Sequence, residues 1–135
     1  MTARPRNGAQ WTVAASGALA LTMGVAGLLA PSRQVSLMSF DGTEGSAKTA
    51  APLLTVSSLA AVNTGLLYLL GATRNWPGFL AFTVRARLLM GGGLLTLSAT
   101  GRAPKAFKGG AAWEIVSAGI TAAAIGWERH RGGRG

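Results

Sequence analysis

Long uncharged stretches alternate with short basic ones along this chain, and four of the stretches are almost wholly apolar or small: Trp11 to Ala30, Ala51 to Ala72, Gly78 to Thr100 and Ala106 to Trp127. A helix rises about 1.5 Å per residue and the hydrocarbon of a bilayer is about 30 Å thick, so each stretch has the roughly 20 residues a crossing needs. The pattern predicts an all-α integral membrane protein, an up-down-up-down four-helix bundle in a single domain, with basic tails over 1–10 and 128–135. The first two stretches carry no charge; the third contains Arg85 and Arg87 and the fourth contains Glu114.

Punctuation agrees with these limits. Proline is tolerated in the first turn of a helix or beyond its end, and Pro31, Pro52, Pro77 and Pro104 all stand at expected boundaries. Thr49 and Asn75, ahead of Pro52 and Pro77, suit helix N-caps. The connections over 73–77 and 101–105 are short enough to force antiparallel neighbours, whereas 31–50 is a long loop. The alternative is that Arg4, Arg6 and the first apolar stretch form a cleaved signal peptide, which leaves three spans.

Composition sharpens the assignment. Only 13% of the 135 residues are charged while 49% are hydrophobic, against about a quarter charged in soluble proteins. A net charge of +9 in a soluble chain would point to nucleic acid; between apolar stretches it marks contact with anionic lipid headgroups, and no nucleic-acid partner is expected. Cysteine is absent and His130 is the single histidine, out in the basic tail, so no cofactor or metal is expected from this chain alone. Asp41 and Glu44 in the first loop are two acids without the further ligands a calcium or magnesium site requires.

Basic residues also bear on orientation. Arg4, Arg6, Arg74, Arg129, Arg131 and Arg134 fall on the face that holds both termini, and Arg33, Lys48, Arg102, Lys105 and Lys108 on the other. With Arg85 and Arg87 reaching toward the terminal face the balance is eight to five, which makes that face cytoplasmic. Trp11, Trp76 and Trp127 map there as well, as an interfacial belt would.

Helices in lipid associate through small residues that let backbones approach. Ser16, Ala20 and Gly24 form such a stripe in the first span and Ala118, Ala122 and Gly126 in the fourth, while Gly91, Gly92 and Gly93 adjoin at the middle of the third.

The charges inside the spans need compensation, because even on lenient scales each costs about 2.5 to 3.5 kcal/mol in hydrocarbon. Counted at about 1.5 Å per residue from the terminal face, Arg85, Asn63, Arg87 and Glu114 lie about 10, 12, 13 and 20 Å deep. Arg87 shares a stripe with Gly91 and Ser98, Glu114 shares one with Ser117, Ala118 and Thr121, and Ser57, Ala61, Thr64 and Tyr68 form a third, with Asn63 beside it. Arg85 points about 200° away from Arg87, so one of the two snorkels to the headgroups. Two readings of Arg87 with Glu114 stand side by side. One is a buried ion pair that sets helix register. The other is a polar pocket for the head of a lipophilic small molecule, with Glu114 and Arg87 as reacting groups and Asn63, Tyr68, Arg85 and Trp113 as ligand-binding residues.

Three function classes fit these features. An accessory or interaction protein, with a protein partner or a second copy of itself, needs only small-residue stripes and a register-setting pair. A membrane enzyme of isomerase, cyclase or hydratase type would use Glu114 as acid or base on a lipophilic substrate. A small dimeric transporter would need a path through the bilayer.

Overall fold

The computed structural model describes residues 7–37 and 44–132, with side chains over 7–36 and 50–132. Among the described residues every element is a helix: α1 (Gly8–Leu29), α2 (Pro31–Leu37), α3 (Glu44–Thr73), α4 (Phe79–Ala99) and α5 (Phe107–Gly132). Three of them contain segments long and apolar enough to cross a membrane, namely Gly8–Leu29, Ala50–Thr73 and Phe79–Ala99. From Phe107 onward the stretch expected as a fourth span lies in α5, which has the length but carries Lys108, Glu114, Glu128, Arg129 and Arg131.

Several boundaries differ from those expected, each for a local reason. Helix α1 starts at Gly8 rather than Trp11, because the Asn7 carboxamide accepts the Gln10 N–H at 2.9 Å and caps the first turn. The long first connection holds α2, which opens on Pro31, a residue whose fixed φ suits a first helical position. Helix α3 runs from Glu44, so Pro52 lies inside it and Thr49 is not its cap. Asn75 does not cap α4 either: it sits in the left-handed region at φ 53°, and the N-cap is Gly78 at φ 70°, where a side chain would be strained. Helix α5 continues through Glu128 to Gly132, so most of the expected basic tail is helical. Its last turn holds Arg129, His130 and Arg131, and positive charge there is favoured by the carbonyl end of the helix. Asp41 lies outside the described residues, as does the side chain of Glu44.

The chain divides into two compact units, residues 17–67 and residues 1–16 with 68–135. In the first, α1 and α3 meet backbone to backbone. A Cβ on Gly24 would stand 2.7 Å from the Ser58 carbonyl oxygen and the Val62 nitrogen, and one on Gly65 would stand 2.6 Å from the Leu21 nitrogen. Since 24 faces 58 and 17 faces 65, the two helices run antiparallel here. The packing stripe of α1 is therefore Gly17, Gly24 and Gly27, which keeps only Gly24 of the expected stripe. On α3 the buried positions in this unit are Ala50, Leu54, Ser58 and Gly65, with Ser57 exposed. The Ser58 hydroxyl shares its one proton between the Leu54 carbonyl and Oε1 of Gln34 on α2, at 2.7 and 2.8 Å.

In the second unit α4 and α5 pack along their length, antiparallel, with Gly91 against Ile115 and Leu94 against Gly110 nearer the turn. Gly91 is the contact glycine; a Cβ added at Gly92 or Gly93 would have nothing within 4 Å. On α5, Ala111, Ser117, Ala118 and Thr121 are buried, while Ala122 and Gly126 of the expected stripe are exposed. The start of α1 joins this unit through polar contacts. Glu128 Oε1 accepts the Ala9 N–H at 3.0 Å, Gln10 Nε2 donates to Asn75 Oδ1 at 2.7 Å, and the Thr12 and Thr121 hydroxyls lie 2.9 Å apart. An apolar cluster of Val13, Ala14, Tyr68, Ala72 and Phe79 fills the space between.

Candidate functional site

Helix α4 turns one face inward, and Phe79, Thr83, Arg87 and Gly91 recur on it every four residues. Gly91 sets the distance to α5. A Cβ there would meet Ile115 Cγ1 at 2.7 Å, the Ala111 carbonyl oxygen at 3.1 Å and Glu114 Cβ at 3.3 Å, so only hydrogen lets the helices approach this closely. One turn before Gly91, Arg87 is carried into the interior and is only 3% exposed.

Its guanidinium lies over the Tyr68 ring, the central carbon 4.8 Å from the ring centre. That ring is held in turn: Phe79 meets Tyr68 edge to face at 6.1 Å, and Trp76 meets Phe79 in the same way at 5.6 Å. Gly71 lies so close beneath Phe79 that no Cβ fits. A cation over an aromatic face is attracted by the ring quadrupole, which accounts for the side chain's placement. It does not satisfy the N–H groups, which lie in the guanidinium plane.

Both terminal nitrogens of Arg87 are buried and have no hydrogen-bond partner. The expected bridge to Glu114 is thus not made, although Glu114 is half-buried and within electrostatic reach. The hydroxyls around it behave differently. Thr83 donates to the Leu80 carbonyl at 2.8 Å, Ser117 to the Glu114 carbonyl at 3.1 Å and Thr121 to the Ser117 carbonyl at 3.0 Å. A short hydroxyl can turn back on its own helix, whereas a long guanidinium reaches past those carbonyls.

The structure brings Tyr68, Arg87 and Glu114 to the inner side of one unit, while Arg85 and Trp113 of the same unit face outward and Asn63 lies in the other. Arg85 is exposed on the opposite side of α4. Trp113 is 50% exposed, since one residue along a helix is a rotation of about 100° from Glu114. Asn63 is exposed and belongs to the other unit. Thr83, fully buried one turn from Arg87, was not expected at the site, though its spacing from Arg87 and Gly91 would have marked it.

Chemically, a planar cation with two free donors buried beside an aromatic face is suited to a carboxylate or phosphate oxygen pair. Among the described residues no group of three or more metal-binding side chains occurs. No protein-family model, curated protein or solved structure matches the chain.

Proposed function

We propose that this is a four-span membrane protein in an accessory role, which holds a lipophilic small molecule through an anionic head placed on Arg87. The observation that carries the proposal is the pair of buried, unpartnered guanidinium nitrogens. An uncompensated charge at that depth is costly, and a negatively charged head supplies what the protein itself does not. An apolar tail explains how such a head reaches a site within the bilayer.

The fourth span is α5. Its contacts with α4 run along both helices, and its outer face presents Trp113, Val116, Ile120 and Trp127, all at least half exposed. Lipid is the natural environment for that face, while Glu114 stays on the side toward α4. The termini then share one side, the cytoplasmic one, and the basic residues at the span ends meet anionic headgroups.

The test is to purify the protein in mild detergent, extract bound small molecules and identify them by mass spectrometry, beside the Arg87→Met variant. An acidic lipophile is expected in the parent and absent from the variant. The same species at equal occupancy in both would refute the site.

A second reading makes Glu114 the acid or base of a membrane enzyme acting on that molecule, and the support for it is a half-buried carboxyl free of the Arg87 nitrogens. Glu114→Gln separates the two. Unchanged occupancy with accumulation of an unconverted precursor favours the enzyme; unchanged occupancy with the same bound species favours the accessory role.

A further inference from the structure

A second, independent feature lies at the end of the same unit. Where the α3 to α4 turn meets the last turns of α5, a cleft of about 600 Å³ opens, lined among others by Asn75, Trp76, Leu80, Ile125, Glu128 and Arg129. That volume lies within the range of small-molecule sites, about 300 to 1,000 Å³. It stands at a membrane boundary, since one apolar span ends at Thr73 and the next begins at Phe79. It is also about 10 Å along α4 from Arg87, counting from Leu80.

The rim is built rather than loose. Asn75 is held by Gln10 at 2.7 Å, Glu128 by the Ala9 N–H at 3.0 Å, and Trp76 by its edge-to-face contact with Phe79. The cleft therefore presents groups of opposite kinds: a held carboxylate and a held indole that favour a cation, the exposed Arg129 guanidinium that favours a phosphate, and Leu80 and Ile125 as an apolar floor.

We propose that this cleft binds the headgroup of a zwitterionic phospholipid, with the ammonium at Glu128 and Trp76 and the phosphate at Arg129. Phosphatidylglycerol offers the same phosphate but a neutral glycerol in place of the ammonium, so it lacks the attraction to Glu128 and Trp76, and the site favours the zwitterionic lipid despite the chain's net charge of +9. Ethanolamine and choline lipids share the required chemistry. An ammonium with N–H donors gains from the Glu128 carboxylate, and a quaternary one relies more on Trp76.

The test uses the full chain in mild detergent, incubated with equal amounts of phosphatidylethanolamine, phosphatidylcholine and phosphatidylglycerol, with retained lipid counted by native mass spectrometry. The parent should retain at least one zwitterionic lipid over phosphatidylglycerol by about threefold, the scale of an exposed cation–aromatic contact. Glu128→Gln, which keeps an acceptor for the Ala9 N–H, and Trp76→Leu should each reduce that preference in the folded protein, with melting temperatures lowered only by the lost carboxylate and by the lost edge contact with Phe79. Two variants are used so that misfolding of one leaves the other to decide. Phosphatidylglycerol retained equally or better by the parent would overturn the proposal. A preference that survives in the folded variant or variants would overturn it as well.

Discussion

The Arg87 guanidinium carbon lies 4.8 Å from the centre of the Tyr68 ring, while both terminal nitrogens of the same side chain are left without a partner. The ring thus positions the cation without neutralising it. Tyr68→Phe keeps the aromatic face and the edge contact with Phe79, so its stability in detergent should match the parent's. Tyr68→Leu loses both and should be less stable by roughly 1 to 2 kcal/mol. Thermal denaturation of the two variants checks this; equal losses would show that the ring's face is not what holds Arg87.

Two glycines in different surroundings give opposite expectations. At Gly65 a methyl group would stand 2.6 Å from the Leu21 backbone nitrogen, so Gly65→Ala must push α1 and α3 apart and lower the melting temperature. At Gly92 nothing lies within 4 Å, and Gly92→Ala should raise stability by up to about 1 kcal/mol through helix propensity alone. Parallel melting curves for the two would contradict the packing described.

The first turn of α1 is tied to its unit by two side chains that satisfy its N–H groups. Asn7→Ala removes the cap on Gln10 and should cost about 1 kcal/mol. Glu128→Gln keeps an acceptor for Ala9 and loses only the attraction of a carboxylate to the helix N-terminus, about 0.3 to 1 kcal/mol. Chemical denaturation should rank Asn7→Ala as no less damaging than Glu128→Gln, and the reverse order would assign the anchoring to the charge.

Topology has a direct test because the chain has no native cysteine. Cysteines placed at Gly8, Lys105 and Gly132 should label so that Gly8 and Gly132 react from one side of the membrane and Lys105 from the other. If Lys105 and Gly132 react from the same side, α5 lies along the surface and there are three spans.

How far the sequence alone reveals this arrangement depends on how each residue signals. Apolar runs locate α1, α4, α5 and the apolar part of α3, whereas Pro52 misleads because it lies inside α3 and the polar α2 gives no such run; the Arg87, Gly91, Ser98 stripe is visible because a charge and small residues on one face are distinct in any register. The same holds for Glu114 with Ser117, Ala118 and Thr121. The α1 and α3 face is less legible. Both helices are apolar all round, so hydropathy does not mark the packed side, and adjacent serines such as Ser57 and Ser58 look alike until one is buried. Small size at Ala122 and Gly126 is equally ambiguous, since a small residue permits close packing without requiring it, and both are exposed. The missing Arg87 to Glu114 bridge is beyond sequence because it depends on side-chain reach, not on which face each residue occupies.

Arg87 is not satisfied by the protein itself, and the melting temperature of delipidated Arg87→Met against the parent tests this most directly. With no internal hydrogen bond or ion pair to lose, and with the lost contact over Tyr68 offsetting only part of the gain, the variant should be more stable by up to about 2 kcal/mol, the scale of an unsatisfied buried group removed less a cation–aromatic contact. Arg87→Met with Glu114→Gln should then add little. A variant less stable by about 3 to 5 kcal/mol, with stability regained in the double substitution, would show instead that Arg87 and Glu114 are a buried ion pair, and Arg87 would then have its partner within the chain.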